Sequence, residues 1–256
     1  MRLGFDLDGT LADMQSALAR EARVLFQDVD TGTLPRSTPQ DGTPGSNDGE
    51  TGSEPVSGKT PNPESRIPNP DDSSLGSLSH SLTGNQQRVL WDAVRARENF
   101  WETLDEIEPG ALTRLYQLAQ TRRWEVIFLT KRPSTAGATA QVQSQRWLQF
   151  RGFSLPSVYV VGGSRGKIAA ALALDVVVDD NPESCLDIAT ESNARAVAVV
   201  RNLTAPISPA IKHLGVQVVR STDECLTLLT EIDAGRRSGR NAIERMRQML
   251  GLKPAT

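Results

Sequence analysis

The sequence has few cysteines, few aromatic residues and little net charge, which argues against several protein classes. Its 256 residues include only two cysteines, aromatic residues make up 5%, and the formal net charge is −3. Cys185 and Cys225 are too few for a disulfide framework and lack the spacing of a zinc site, which favours a reducing compartment. The near-neutral charge gives no electrostatic footprint for nucleic acid or for an anionic membrane. We therefore expect neither of these partners.

Long apolar runs are also missing. The run within residues 1–8 is about five residues long and is broken by an acid, which is too short for a signal peptide. No segment approaches the ~20 apolar residues of a membrane-spanning helix. The sequence therefore predicts a soluble, cytoplasmic protein.

Residues 31–85 differ in composition from the rest of the chain. They contain eight of the 15 prolines and eight of the 20 glycines, and their few large apolar side chains follow no period. Such a segment cannot bury enough apolar surface to offset the entropy that ordering would cost. We predict a long disordered insertion, which is either a tolerated surface insertion or a regulatory or partner-binding arm.

The remaining sequence alternates between short apolar runs and amphipathic helical patterns. The apolar runs predict six strands, near residues 3–5, 124–129, 158–161, 176–178, 196–200 and 216–219. Helical spacing predicts helices over residues 14–26, 86–104, 111–121, 135–150 and 165–172. Apolar strands that alternate with helices are typical of a parallel sheet covered on both faces, so we predict a doubly wound α/β fold.

In this fold class, sites form just past the carboxyl ends of the strands. The first predicted strand ends in Asp6, and Asp8 and Gly9 follow directly. Two carboxylates after a buried strand are costly to place together without a cation, and Mg²⁺ would relieve that cost. Gly9 lets the backbone turn and leaves amide groups free to face an anion. An Asx-rich turn that caps the next helix is the alternative.

The second and third predicted strands are followed by groups that suit phosphate oxygens. Thr130 ends the second strand and is backed by two cations, Lys131 and Arg132, although a threonine here could equally cap a helix. A glycine-rich turn at 162–166 precedes Lys167, which would neutralise phosphate charge or else lie in solvent.

The fourth predicted strand ends in a second acid pair, Asp179 and Asp180. These acids could bind a cation or cap the next helix, and both roles can hold together. The ordered set of acid pair, hydroxyl, lysine and acid pair resembles the four motifs of the haloacid dehalogenase-like (HAD) superfamily. The resemblance covers residues 1–30 and 86–220, and the segments 129–133, 147–148 and 177–183 are similar to its 5′-nucleotidase-like branch.

This resemblance implies a phosphomonoester hydrolase with a HAD-like Rossmannoid fold and a Mg²⁺ cofactor. Asp6 would be the nucleophile and Asp8 the general acid/base, with Lys167 as a further catalytic residue. Magnesium would be held by Asp6, the Asp8 carbonyl and Asp179, with Asp180 acting through water. The phosphoryl oxygens would be held by Thr10, Thr130, Lys131 and Lys167.

The same resemblance implies how the chain is divided. Residues 1–11 and 109–220 would form the core, and 12–30 with 86–108 a small helical cap. Residues 221–256 would form a helical tail that packs on the core, makes an oligomer or binds an acidic partner. Phe100 and Trp101 would be core residues or would stack a base.

A nucleoside monophosphate, such as a deoxyribonucleotide, is the expected small-molecule substrate. A polynucleotide 3′-phosphatase, a sugar phosphatase and a non-catalytic phosphate-binding scaffold remain alternatives.

Overall fold

The structure is a computed structural model that describes residues 1–26, 82–201, 211 and 213–249, with side chains given as far as residue 239. The six predicted strands are all present: β1 Arg2–Asp6, β2 Glu125–Thr130, β3 Ser157–Val160, β4 Val176–Asp179, β5 Arg195–Val199 and β6 Gln217–Val219. The α-helices are α1 Met14–Leu25, α2 Gly84–Ala96, α3 Ala111–Arg122, α4 Ala140–Phe150, α5 Arg165–Ala171, α6 Pro182–Glu191 and α7 Thr222–Met249.

The strands form one parallel sheet in the order β3-β2-β1-β4-β5-β6. The chain therefore begins at the centre of the sheet and winds outward in both directions, which confirms the predicted doubly wound α/β fold. The strands β1 and β4 are neighbours in the sheet, and Phe5 is paired with Val178. This register places the ends of both strands side by side.

Successive strand residues point to opposite faces of the sheet, and each face has its own core. In β4, Val176 and Val178 belong to the larger core cluster, whereas Val177 belongs to the smaller one. The larger cluster includes residues of α1–α4 and α7, and the smaller one residues of α5 and α6. Both faces are therefore covered by helices, which explains why three consecutive valines precede Asp179 in β4.

Two predicted helices have different limits in the structure. The helix predicted over 135–150 begins at Ala140, because the preceding loop is held by a tertiary contact: Asn99 Oδ1 accepts a hydrogen bond of 2.9 Å from the Ala138 amide. Gly137 in this loop has a φ of +92°, which is incompatible with a right-handed helix. The helix predicted over 86–104 spans Gly84–Ala96, and a single 3₁₀ turn follows at Phe100–Glu102.

The predicted insertion 31–85 lies outside the described residues except at its end. Leu82 packs against the larger core and Thr83 caps α2, so residues 82–85 belong to the folded body. The helices α1 and α2 contact each other and share the larger core, while their role as a separate cap stays a prediction. In the part of the chain that the structure describes, no helix has the length and apolar character needed to cross a membrane.

Candidate active site

The ends of β1 and β4 bring together three carboxylates from distant parts of the sequence. Carboxylate oxygens of Asp6, Asp179 and Asp180 lie within 4.8 Å of one another. Asp6 is 8% exposed and Asp179 is 2% exposed. The structure thus assembles three of the four acidic residues predicted from the sequence into one cluster, in which Asp6 and Asp179 are buried and Asp180 is half-buried.

Burial and mutual repulsion disfavour the charged forms of these acids. Desolvation, followed by the charge of Asp179, raises the pKa of Asp6 well above its usual value, although Arg165 opposes the shift. Desolvation also raises the pKa of Asp179, against the effect of Arg165. Burial and the charge of Asp179 raise the pKa of Asp180 to about 7. A divalent cation would stabilise the carboxylate forms, and an all-oxygen donor set fits Mg²⁺.

The cation that faces this cluster is Arg165, not the predicted Lys167. Arg165 Nη2 donates to Asp6 Oδ1 at 2.5 Å, and Nε lies 3.5 Å from Asp179 Oδ2. Arg165 is 3% exposed, and its Nη1 and Nε atoms are buried without a hydrogen-bond partner. A buried donor without a partner is costly, so this guanidinium is suited to an anionic ligand in the cavity.

Lys167 is exposed and does not line the cavity. Ser164 caps the amino end of α5. Arg165 is therefore the first residue of the helix, and Lys167 is the third. Two residues correspond to about 200° of rotation around a helix, which turns Lys167 away from the direction of Arg165. The cap residue Ser164 was the sequence signal that could have fixed the start of α5 and shown that Arg165 and Lys167 point in different directions.

Asp8 lies outside the carboxylate cluster and has its own partners. Thr130 Oγ1 donates to Asp8 Oδ2 at 3.0 Å. Arg132 Nη2 donates to Asp8 Oδ1 at 2.7 Å, and Arg132 Nε donates to Asp8 Oδ2 at 2.9 Å. Thr130 was predicted to face phosphate, but its hydroxyl is turned to Asp8 and it does not line the cavity. The sequence offered no signal for the pairing of Arg132 with Asp8.

The remaining predicted phosphate ligands are placed differently from each other. Thr10 is fully buried, donates to Asp180 Oδ1 at 3.5 Å and does not line the cavity. Lys131 is exposed at the cavity, where its charge acts to lower the pKa of Asp179. The cavity has a volume of about 90 Å³ and includes Asp6, Asp8, Met14, Trp101, Lys131, Arg132, Pro133, Arg165, Asp179 and Asp180 among its lining residues.

Trp101 is fully buried, as its pattern suggested for a core residue, and it also contributes to the wall of this cavity. Phe100 is 1% exposed and packs edge-on against Trp101, with 5.0 Å between the ring centroids. Phe100 therefore belongs to the core.

Gly9 turns the chain immediately after the first acid pair. Its φ is +85°, and a side-chain carbon at this position would overlap the carboxylate of Asp180. Only glycine allows both this conformation and the close approach of Asp180. The sequence predicts a glycine here because the backbone turns. The structure adds a second reason, which is the close approach of Asp180.

Arg201, at the carboxyl end of β5, fixes the same turn from outside. It donates to the Gly9 carbonyl at 2.7 Å and to the Thr10 carbonyl at 2.8 Å. It also pairs with Glu108 at 2.9 Å and donates to Thr222 Oγ1 at 2.9 Å. Partial burial acts to raise the pKa of Glu108, but the Thr222 amide and Arg201 bind its carboxylate and lower it. Sequence reasoning missed Arg201, although its place at a strand end was a usable signal.

Comparison with known proteins gives structural likenesses only, since no family model and no curated protein match the chain. A candidate β-phosphoglucomutase from Thermotoga maritima is 16% identical, with 90% of this chain and 99% of that chain covered and a TM-score of 0.49. A HAD family hydrolase from Deinococcus radiodurans with bound phosphate and sodium is 14% identical, with 90% and 95% covered and a TM-score of 0.48.

A haloacid dehalogenase-like family hydrolase from Streptococcus pneumoniae is 13% identical, with 89% and 97% covered and a TM-score of 0.47. Likenesses at these identities concern the fold alone. The activity therefore has to be inferred from the side chains at the strand ends.

Proposed function

We propose that this protein is a HAD-type, Mg²⁺-dependent phosphomonoester hydrolase in which Asp6 is the nucleophile. The observation that carries the proposal is the cluster of buried Asp6 and Asp179 with half-buried Asp180. Their carboxylate oxygens lie within 4.8 Å of one another, and the guanidinium of Arg165 faces them. Carboxylates require a cation here, and the buried donors of Arg165 require an anion. A phosphate group together with a divalent ion satisfies both.

In the first step, an Asp6 oxygen attacks phosphorus and the bond from phosphorus to the leaving oxygen breaks. Asp8 gives a proton to that leaving oxygen, so an alcohol departs and an aspartyl-phosphate remains on Asp6. In the second step, Asp8 takes a proton from water, which attacks phosphorus and releases inorganic phosphate. Asp6 is then a free carboxylate and Asp8 is again protonated, so the cycle is balanced.

Arg165 replaces the predicted Lys167 as the residue that binds the transferring phosphoryl group. Arg165 lines the same cavity as Asp6, and its Nη1 is buried without a hydrogen-bond partner, so the guanidinium can orient the phosphate and stabilise charge that develops on its oxygens. Lys131 adds a second positive charge at the cavity. Thr130 and Thr10 support the acids rather than contacting the phosphate directly.

A magnesium ion would be held by Asp6, Asp179 and the Asp8 carbonyl, with Asp180 supporting it through water. When bound, it would neutralise the charge of phosphate oxygens and keep Asp6 ionised. The raised pKa of Asp6 in the metal-free protein is consistent with this need, because burial and Asp179 favour its protonated form.

The cavity supports a small phosphoester as substrate. Its volume of about 90 Å³ is too small for a nucleoside together with its phosphate, so a larger leaving group would extend past Met14, Trp101 and Pro133. A nucleoside monophosphate remains our preferred substrate by resemblance to the 5′-nucleotidase-like branch. A cytoplasmic location and an oligomer formed through the tail remain predictions.

The proposal is tested by phosphate release across nucleotides, sugar phosphates and 3′-phosphorylated DNA ends, with and without Mg²⁺. We expect Mg²⁺-dependent release, and a loss of at least about 10³-fold in Asp6→Asn. Asp92→Asn is the matched control, because Asp92 is an exposed acid on α2 that pairs with Arg95.

Full activity of Asp6→Asn on the substrates of the wild type would contradict the proposal. Ligand-induced thermal shifts without turnover on any substrate would instead identify a phosphate-binding scaffold. Release only from DNA ends, or only from sugar phosphates, would select one of the alternative substrates.

A further inference from the structure

We propose that Arg132 is a positioning residue that holds Asp8 in the orientation required for proton transfer to the leaving group and from the attacking water. The inference rests on the proposed function, in which Asp8 is the general acid/base. Arg132 follows Thr130 by two residues in the loop after β2, and its side chain is completely buried. It contacts Asp8 at the wall of the cavity, which both residues line.

The contact with Asp8 is made side-on. Arg132 Nη2 lies 2.7 Å from Oδ1, and Nε lies 2.9 Å from Oδ2 and 3.1 Å from Oδ1. Thr130 Oγ1 donates to Oδ2 at 3.0 Å. Because both carboxylate oxygens are engaged, rotation of the carboxylate breaks at least one hydrogen bond. A lysine in place of Arg132 cannot reproduce this paired geometry.

The guanidinium is itself fixed by groups from other elements. Arg132 Nη1 donates to Ser144 Oγ at 2.9 Å, and Ser144 in turn donates to the Ala140 carbonyl at 2.7 Å on α4. The centre of the guanidinium lies 5.0 Å from the ring of Trp101 and 5.8 Å from the ring of Trp147. The orientation of Asp8 is therefore set by the 3₁₀ turn and by α4, not by the loop alone.

The indole groups that hold Arg132 are anchored as well. Trp101 Nε1 donates to the Pro133 carbonyl at 2.9 Å, and Trp147 Nε1 donates to the Leu104 carbonyl at 2.7 Å. Each bond joins the segment that follows α2 to the β2–α4 region. The guanidinium of Arg132 thus lies beside two anchored indole rings. Trp101 belongs to the 3₁₀ turn and Trp147 belongs to α4.

Stability alone does not explain this arrangement. A buried ion pair contributes little net stability compared with apolar residues of similar volume, because both charges must be desolvated. Within the described residues, the acid that pairs with Arg132 is Asp8, which lines the cavity beside Asp6. Three donor groups, which are Arg132 Nη2, Arg132 Nε and Thr130 Oγ1, give the carboxylate a single orientation, and proton transfer depends on orientation within hydrogen-bond reach.

The proposal predicts which substrates suffer when the contact is lost. General acid–base catalysis contributes about 10²- to 10⁴-fold, mainly for leaving groups that need a proton. We expect Arg132→Lys and Arg132→Gln to lose about 100-fold in kcat/KM on alkyl and phenyl phosphates and less than about 10-fold on p-nitrophenyl phosphate, because kcat/KM reports the step in which the leaving group departs. Ser144→Ala should show the same pattern with a smaller loss, since it removes only the bond to Nη1.

The matched control is Arg151→Lys. Arg151 ends α4 and donates to the Leu104 carbonyl at 2.7 Å, but it does not line the cavity. It should leave the dependence on the leaving group unchanged. Equal losses on all leaving groups in the Arg132 variants, or no loss, would overturn the positioning role while phosphatase activity of the wild type still stood.

A crystal structure of Arg132→Lys gives a readout that does not depend on activity. The Asp8 carboxylate should leave its position against Thr130 or become disordered, whereas an unchanged Asp8 would refute the proposal. A wild type without activity on any phosphoester would instead contradict the proposed function. Thermal melting of each variant shows whether a loss reflects unfolding, and Arg132→Lys retains the charge if Arg132→Gln does not fold.

Discussion

Arg165 Nη2 lies 2.5 Å from Asp6 Oδ1, although the two residues are 159 positions apart in the sequence. Under the proposed function, Arg165 is the cation that meets the phosphate, so Arg165→Ala should lower kcat/KM by about 100-fold or more. Arg165→Lys should retain part of the activity, because it keeps the charge but loses the planar pair of donors.

The same experiment separates Arg165 from Lys167, which has the matching charge two residues later. Lys167 is exposed and does not line the cavity, so Lys167→Ala should change kcat/KM by less than about twofold. A large loss in Lys167→Ala together with an active Arg165→Ala would show that the lysine reaches the phosphate in the working enzyme.

The stability of the metal-free protein should fall as the pH rises. Burial and the charge of Asp179 raise the pKa of Asp180 to about 7 in the folded state, whereas its pKa in the unfolded state is near the usual value of 3.8. Between these values the folded state binds more protons than the unfolded state, so the free energy of unfolding decreases with increasing pH. The raised pKa values of Asp6 and Asp179 act in the same direction.

Thermal melting in a chelator should therefore show a Tm several degrees lower at about pH 8 than at about pH 5. Added Mg²⁺ should restore most of the loss at the higher pH, because it stabilises the carboxylate forms. Asp180→Asn should flatten the pH dependence. A Tm that rises over this range without metal would contradict the electrostatic description of the cluster.

Replacing Gly9 should disturb the metal site more than the fold. Gly9→Ala forces a side-chain carbon into the carboxylate of Asp180 and strains a φ of +85°, so Mg²⁺ affinity should fall at least about 10-fold. Gly110→Ala is the matched control, because Gly110 has a φ of +83° and nothing lies within 4 Å of the added carbon.

Gly110→Ala should cost about 1 kcal/mol of stability and leave Mg²⁺ affinity unchanged. Urea unfolding and titration with Mg²⁺ measure the two effects. Equal affinities in both variants would show that Asp180 does not contribute to metal binding.

Replacing Arg201 should lower metal affinity and activity, although the side chain of Arg201 does not contact the substrate in the proposed function. Arg201→Gln frees the carbonyls of Gly9 and Thr10, and outer contacts of this kind are worth about 10- to 100-fold in activity or metal affinity. Arg114→Gln is the control, because Arg114 forms an exposed ion pair with Asp223 at 2.8 Å. Wild-type metal affinity and kcat in Arg201→Gln would rule out this supporting role.

The sheet could be predicted from the sequence because its signals are local. Three consecutive valines at 176–178 indicate a strand buried on both faces, and the structure has that strand in both core clusters. The position of the acids followed from the fold class, since parallel strands end at one edge. This is why Asp6 and Asp179 could be placed together from sequence alone.

The features that escaped prediction depend on contacts between distant residues. The predicted start of α4 was wrong because Asn99 binds the loop that precedes the helix. No local sequence pattern reveals that contact. The resemblance assigns the phosphate to Lys167, but the phase of α5 turns this lysine away from the cavity and brings Arg165 to Asp6. The partner of Arg132 is 124 residues away, so its role could be recognised only in three dimensions.

The hydrogen bond between Arg201 and Thr222 has a consequence for truncation of the chain. Glu108 accepts the Thr222 amide at 2.6 Å, so the first turn of α7 is tied through Arg201 to the loop that carries Asp8. The start of the last helix therefore supports the loop that carries Asp8. Trimming from the carboxyl end should destabilise the fold once it removes Leu229 and Ile232, which are buried in the larger core, and should also release this loop once it reaches Thr222.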